Sequence, residues 1–579
     1  MQSRWLPLWI GAIAVVVTIS SLTGGLISDD YHHCLVMKDP DNPDQFLQSK
    51  YDLFRFMASS EHNSYLTDRG VLPWWTDTSI KGGFWRPVTS MTHLLDYTLW
   101  PNTPALMHAQ SILWYALLCV TVTVFYRKII PGGWVAGFAA LLYAISETHA
   151  IPVGFLSNRN ALLAAFFGVL TLIAHDNWRK HKNKVAAITA PIFLFLSLLS
   201  AEAGISTCAY LAAYMFFLDD SKWHKRIFSM LPYVAVVILW RIAWSYLDYG
   251  GANVGIYVDP INEPIRYIKR LPAFIAFFLT GQFTLLPSVS YIFMYPATLR
   301  TVTRCATIFL TILLLVLLPL LRRGRTSRFF AAGMLLSLLP LCAAFPCNRM
   351  LIFTSIGALG LIGQLIATVF SKTCRIQTIR LWRIPAVVLA TVMLIIHLFL
   401  SPVVLALHSA MPIGPDTSQK ILGQPPFTDP DIAECDLVIV NPPDTLPCCY
   451  IPLILQCQDR PIPKNLRILT SSILQPVTIH RSDKYSLIVQ PKHGFMAWAF
   501  DQLFRRPENG FRIGEKVELT GVTVEITELT GDGRPAAAAF TFDVPLEDET
   551  LRWLQWKNWH FEPFVPPDVG ETVVLKNFE

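Results

Sequence analysis

The sequence predicts a polytopic α-helical membrane protein that ends in a soluble α/β-to-β domain. Three observations carry this. Only 15% of the residues are charged and 53% are hydrophobic, whereas a typical soluble chain is about 25% charged. The apolar residues come in blocks of about 16 to 24, the length that crosses a hydrocarbon core. From about residue 410 the pattern changes to proline-rich turns and short alternating runs. The net charge of +6 is spread between apolar blocks. It therefore carries topology information and gives no nucleic-acid footprint.

The first apolar run, Trp5 to Ile27, has about 23 residues, enough to cross a core of about 30 Å. It lacks an A-x-A cleavage pattern and reads as a retained span, not a signal peptide. Behind it stands Ser28-Asp29-Asp30-Tyr31-His32-His33, then a polar and aromatic loop to residue 103. Within that loop Val88 to Trp100 has Met91, Leu94, Leu95 and Leu99 at helical spacing, as in an interfacial amphipathic helix. Further spans are predicted at 105–125, 133–147, 160–174, 185–200, 203–218, 228–246, 302–321, 329–345, 350–370 and 384–406. The run 271–287, interrupted by Pro272, Gly281 and Pro287, reads as interfacial or re-entrant. This gives about eleven spans in residues 1–409.

Loop charge sets the orientation. Arg127 and Lys128, then Arg179 to Lys184, then Lys222 to Arg226, and later Lys372 to Arg383, mark the cytoplasmic side. The intervening loops are nearly free of Lys and Arg. The N-terminus is then inside, and the long loop 28–103 and the C-terminus are outside. A multi-pass protein of a bacterial inner membrane, with its C-terminal domain in the periplasm or outside, fits this pattern.

Residues 410–579 open on a linker with Pro412, Pro415, Pro425, Pro426 and Pro430. Strands are predicted at 436–440, 467–469, 477–480, 486–490, 517–529 and 537–544, and a short helix at 450–457. Of the eleven cysteines, Cys119, Cys208 and Cys305 lie in apolar runs. Cys435, Cys448, Cys449 and Cys457 cluster in this domain, where one or two disulfides of unreadable connectivity are expected.

The polar groups expected on the outer side form the candidate site. They are Asp29, Asp30, His32 and His33, then Arg86, then Glu147, His149 and Arg159, then Glu202, and finally Arg349. A carboxylate can take a proton from an attacking hydroxyl. Arginines can hold a phosphate leaving group. Each has a structural alternative: capping for the carboxylates, lipid anchoring or snorkelling for Arg86 and Arg349, and mutual pairing for the Glu147–Arg159 loop. No metal motif is present; a divalent cation at Asp29 and Asp30 is left open.

Several ordered motifs resemble the GT-C superfamily of integral-membrane glycosyltransferases, especially the membrane region of tetratricopeptide-linked O-mannosyltransferases and their bacterial relatives. Phe84-Trp85-Arg86-Pro87-Val88-Thr89-Ser90 resembles their Y-R-P-L-T-S, and Leu95-Asp96-Tyr97-Thr98-Leu99-Trp100 their L-D-Y-A-L-W. Leu156-Ser157-Asn158-Arg159-Asn160-Ala161-Leu162-Leu163 is similar to I-S-G-R-x-D-L-L, and Leu199-Ser200-Ala201-Glu202 to L-S-K-E. Asn348-Arg349-Met350-Leu351 through Gly357 is similar to R-Y-L-Y-x-P-S-x-G. Ala201 replaces the family's Lys, the Glu that follows the family's third-span His is absent, and no tetratricopeptide repeats follow.

The resemblance implies a GT-C-like fold and a polyprenyl-phosphate sugar donor used at the outer face. It implies a glycan, lipid or protein acceptor, with Asp30, or else Asp29, as base. Arg349, with Arg86 or Arg159, would hold the lipid phosphate. His32, Glu147, His149 and Glu202 would line the substrate site. Three other functions compete with this one: a transporter or flippase of lipid-linked sugars, which would show half-to-half symmetry; a non-catalytic envelope scaffold, which would tolerate loss of the carboxylates; and a different enzyme on the same outer face, such as a glycan ligase or a phosphoethanolamine-type transferase.

Overall fold

The computed structural model describes residues 3–39, 49–294, 296–370, 380–411, 422–470, 475–498 and 500–576. Pro412 and Pro415 of the predicted linker, and Lys372 and Arg375 of the predicted inside loop, lie outside them. The chain forms two compact units. One comprises residues 1–27, 84–249 and 259–414, and the other 28–83, 250–258 and 415–579.

The first unit is built of helices. Among the described residues seven are long and apolar enough to cross a membrane: Leu6–Thr23, Pro104–Ile129, Leu156–His181, Trp223–Tyr246, Thr298–Arg323, Ile352–Phe370 and Trp382–Ala410. Gly133–Ala144 and Glu147–Gly154, bent by 48° at Ile145 and Ser146, make an eighth if the pair is one span. This is a multi-pass membrane protein.

The other predicted spans are helical but short. Lys184–Ser200 has 17 residues, Ser206–Phe217 has 12 and Arg325–Leu341 has 17. The first two are separated because Ala201 turns to extended backbone and a 3-10 turn, Glu202–Ile205, follows. Where the sequence predicts a short interfacial or re-entrant segment at 271–287, a continuous 20-residue helix runs from Pro264 to Phe283. Arg266, Lys269 and Arg270 in its first half set it apart from the apolar helices.

Burial separates the middle of this bundle from its rim. The apolar windows of Leu156–His181 and Ile352–Phe370 are 72% and 83% buried, against 22% for Trp223–Tyr246 and Trp382–Ala410. The rim helices turn Ile238, Leu239, Ile384 and Phe399 outward. In water that would be an aggregating surface; in lipid it costs nothing.

The second unit draws on three stretches of sequence. A three-stranded antiparallel sheet joins Arg55–Met57, Lys81–Gly83 and Gly250–Ala252. A four-stranded sheet runs His560–Pro563, Leu551–Lys557, Asp436–Ile439, Asn465–Ile468, and its last two pairings are parallel. Parallel neighbours need a crossover. Between Asp436–Ile439 and Asn465–Ile468 the helices Thr445–Cys449 and Ile451–Cys457 supply it.

A six-stranded antiparallel sheet follows the order Thr572–Leu575, Val477–Arg481, Ser486–Pro491, Pro535–Phe542, Val522–Leu529, Lys516–Leu519. The predicted single strand 517–529 is therefore a hairpin. Leu519 pairs with Val522 across Thr520-Gly521, where Gly521 has φ +82°. The apolar positions, Val517 and Leu519 before the turn and Val522, Val524 and Ile526 after it, change phase by one residue at Gly521.

Hydrogen bonds stitch the three stretches together. The Trp74 indole donates to Leu469 O at 3.0 Å and Trp75 to Asp501 O at 3.3 Å. Asp77 N donates to Phe504 O and Gly255 N to Gln502 O, each at 2.8 Å. Most of the long loop predicted at 28–103 thus belongs with residues 415–579. Among the described residues one disulfide is present, and it uses Cys457 of the cysteine cluster. Cys457 bonds Cys34, outside that cluster, while Cys435, Cys448 and Cys449 are buried free thiols.

Asp501 gives this unit a pH dependence. It is 2% exposed and accepts a hydrogen bond from Thr445 Oγ1 at 3.2 Å. Burial, and then the charge of Asp444, push its carboxyl up to about 7. A folded value above the unfolded one, about 3.9, means that the folded state binds the proton more tightly. Stability from this group is full below about pH 4 and is lost as pH rises through about 7. The expected difference between pH 5 and pH 8 is on the order of 2–3 kcal/mol. Asp501→Asn, which mimics the protonated form, should carry low-pH stability up to pH 8. Thermal unfolding of wild type and variant at both values checks this; parallel pH profiles would refute it.

Candidate functional site

In the second unit the acidic pair opens the helix Asp29–Lys38. Ser28 precedes it with φ 44°, a left-handed backbone that sets the helix start. Both carboxylates lie in the first turn, where the helix dipole favours negative charge. Asp30 is 1% exposed. The Tyr450 hydroxyl donates to Asp29 Oδ1 at 2.5 Å.

His32 and His33 are buried among aromatic rings. The His32 ring is edge-on to Tyr450 at 5.4 Å and to Phe56 at 6.1 Å, and His33 is edge-on to Phe54 at 4.9 Å. Burial, and then the neighbouring His33, hold His32 well below the usual imidazole range, so it packs as a neutral ring.

In the first unit the polar groups meet in three pairs. Arg86 Nε contacts Glu202 Oε2 at 2.9 Å, with both side chains about a fifth exposed. The Arg86 guanidinium lies over the Phe84 ring at 4.5 Å. Pro87 then starts the helix Pro87–Leu99 at its first position, and Thr89 Oγ1 donates to Ser200 O at 2.8 Å.

The second pair is Arg159 with Asp96, at 2.6 Å and with neither side chain exposed. Arg159 also donates from Nε to Ser111 Oγ at 2.9 Å, from Nη1 to Gln110 Oε1, and from Nη2 to Met107 O at 2.8 Å. Trp100 Nε1 donates to the same aspartate at 3.1 Å. All three nitrogens of this guanidinium are engaged inside the unit.

The third pair is Glu147 with Asn348, whose Nδ2 donates to both carboxylate oxygens at 3.0 and 3.3 Å. Asn348 Oδ1 accepts from Ser288 N at 2.6 Å. Gly281 makes this possible, because a Cβ there would lie 2.0 Å from Ser288 Oγ and 3.0 Å from Asn348 Oδ1. Glu147 N donates to Ser401 Oγ at 2.7 Å. Close by in sequence, His149 is enclosed by Tyr115 and Tyr143, and its Nδ1 lies 3.1 Å from the Tyr115 hydroxyl. Arg349, beside Asn348, is half-buried, with its guanidinium 5.9 Å from the Phe345 ring centre.

Each pair joins two sequence motifs: Arg-Pro with Leu-Ser-Ala-Glu, Leu-Asp-Tyr with Ser-Asn-Arg, and Ser-Glu-Thr-His with Asn-Arg-Met. Sequence reasoning missed Asp96, Asn348 and Tyr450 as partners. Asp96 had a readable signal, a lone acid among Met91, Leu94, Leu95 and Leu99 on a short helix. Asn348 stood next to a chosen residue. For Tyr450, 421 positions from Asp29, the sequence holds no signal. Among the described residues no group of three or more His, Cys, Asp or Glu is placed to hold a metal ion.

No protein-family model matches the chain, and no curated protein matches it. Solved structures do. The apo oligosaccharyltransferase of Archaeoglobus fulgidus is 12% identical at a TM-score of 0.39; the match covers 81% of this chain and 65% of that one. The archaeal oligosaccharyltransferase AglB of Archaeoglobus fulgidus, in complex with an inhibitory peptide and a dolichol-phosphate, is 12% identical at 0.36, covering 80% and 65%. ArnT of Cupriavidus metallidurans in the apo state is 11% identical at 0.39, covering 79% and 84%. The present chain thus spans less than two thirds of the length of the oligosaccharyltransferase.

Proposed function

We propose that this chain is a membrane glycosyltransferase. It moves a sugar from a polyprenyl-phosphate donor to an acceptor hydroxyl on the outer face of the membrane. The observation that carries the reading is the pairwise closure of the polar motifs in the first unit. Charged groups within an apolar helical unit are costly and mark functional regions by default. Here five of them, from distant parts of the chain, are matched in pairs, two pairs between opposite charges and one between Glu147 and the Asn348 amide. The outer placement of the second unit is supported by the Cys34–Cys457 disulfide, since such bonds persist in oxidising compartments.

In the reaction proposed, the acceptor hydroxyl attacks the anomeric carbon. The bond from that carbon to the phosphate oxygen breaks, and the polyprenyl phosphate leaves with the bonding pair. The hydroxyl proton passes to Asp30, with Asp29 as its neighbour. A single displacement inverts the anomeric configuration. Arg86 and Arg349, both half-buried, are the phosphate-binding arginines. Arg159 has its donors occupied and serves instead to lock the helix Pro87–Leu99.

A lipid-anchored donor reaches the protein from within the bilayer, so no nucleotide-binding fold is required. The acceptor is a glycan, a lipid or a protein. Arg349→Ala and Arg86→Ala are expected to raise the KM for a polyprenyl-phosphate sugar by about tenfold or more, the loss of a charge-assisted contact of about 1.5–3 kcal/mol. Initial rates against donor concentration in proteoliposomes check this. An unchanged KM in both variants would remove the arginines from the phosphate site.

A further inference from the structure

We infer that Tyr450 is a positioning residue for the acidic pair, acting through Asp29 as the first of three holds along one helix. This rests on the reading of Asp30 as the base. The helix Asp29–Lys38 is gripped at successive points by the segment 450–459 of the same unit. Tyr450 donates to Asp29 Oδ1 at 2.5 Å. Cys457 is bonded to Cys34. Lys38 Nζ reaches Cys457 O at 2.6 Å and Asp459 Oδ2 at 3.2 Å. The disulfide and the lysine hold the middle and the end of the helix. Tyr450 holds the first turn, where both carboxylates sit.

A tyrosine suits this task. Burial and the charge of Asp29 keep its hydroxyl protonated far above the usual range, so it stays a donor at every working pH. It fixes a carboxylate without removing its charge. His32, one turn after Asp29, lies edge-on to the Tyr450 ring at 5.4 Å and fixes that ring in turn. The two aspartates thereby take different parts: Asp29 is the anchor, and Asp30 is the group that exchanges a proton. Placement of a base to within a fraction of an ångström is worth large factors in rate. A ring 421 positions away therefore tunes kcat without touching the donor.

The test uses the full-length protein in proteoliposomes with polyprenyl-phosphate mannose labelled in the sugar. Tyr450→Phe removes one hydroxyl and leaves the packing. Its kcat is expected to fall about tenfold while the donor KM stays within about twofold, since only positioning is lost. Amide hydrogen exchange supplies a readout that needs no turnover. Residues 29–33 of the variant should exchange about tenfold faster, with the sheets of the same unit unchanged and the Cys34–Cys457 bond intact.

Wild-type kcat in Tyr450→Phe, or unchanged exchange at 29–33, overturns the inference. Asp30→Asn is run beside it. Loss of turnover there with no effect of Tyr450→Phe sinks the positioning role alone. Wild-type turnover in Asp30→Asn sinks the reading of the base, and the catalytic part of the inference with it.

Discussion

Asp30→Asn is expected to lower sugar transfer from a polyprenyl-phosphate donor by about 10²- to 10⁴-fold, the usual contribution of a positioned general base. The substitution keeps the shape of the side chain and removes its ability to take a proton. Asp30 is 1% exposed in the first turn of its helix, so the amide replaces a carboxyl already shielded from bulk water. Donor KM should move little, because the donor's phosphate is held by other groups. Initial rates of both proteins at saturating donor give the comparison, with the Cys34–Cys457 bond as the check on folding. A variant within about twofold of wild type would remove Asp30 from the chemistry.

The second large effect concerns stability. Arg159→Leu should destabilise the protein by about 3–5 kcal/mol, because it leaves Asp96 buried without its partner. Neither side chain of this pair is exposed. Asp96→Asn should cost nearly as much, by stranding the guanidinium. The double variant Asp96→Asn with Arg159→Gln should recover part of the loss, since no unpaired buried charge remains. Arg86→Ala breaks a pair that water reaches and should cost about 1 kcal/mol or less. Thermal unfolding in detergent separates the cases. Equal losses for Arg159→Leu and Arg86→Ala would contradict the division between a structural and a ligand-binding arginine.

How far the sequence could be read follows from the range of each interaction. Apolar blocks and basic loops are local, so the helical segments were legible almost throughout. Their bounds were legible at Lys184–Ser200 and less so at Pro264–Phe283, whose basic first turns fall outside the apolar run. The strands of residues 436–542 were legible from alternation, except where Thr520-Gly521 folds one run into two. The strands Leu551–Lys557, His560–Pro563 and Thr572–Leu575 were missed; the first has apolar residues on both faces, and the other two are short edge strands.

The union of residues 28–83 with 415–579 could not be read at all. It depends on partners such as Trp74 with Leu469 and Cys34 with Cys457, hundreds of positions apart. For the site, residue types and motifs were visible, and pairing was not. Arg159 looked like a phosphate ligand because nothing in its neighbourhood revealed Asp96. His32 looked like a polar lining group because its aromatic neighbours, Phe56 and Tyr450, come from other stretches.

The proposed reaction uses a lipid-phosphate sugar and inverts its anomeric centre. Its most direct test is to incubate the purified protein in vesicles with a polyprenyl-phosphate sugar labelled in the sugar ring, and to follow both products. Free polyprenyl phosphate is expected to appear in step with transfer of the label to a hydroxyl acceptor, with the anomeric configuration inverted and both products lost in Asp30→Asn. A donor pool that stays intact, or a product that retains the donor's configuration, would contradict it.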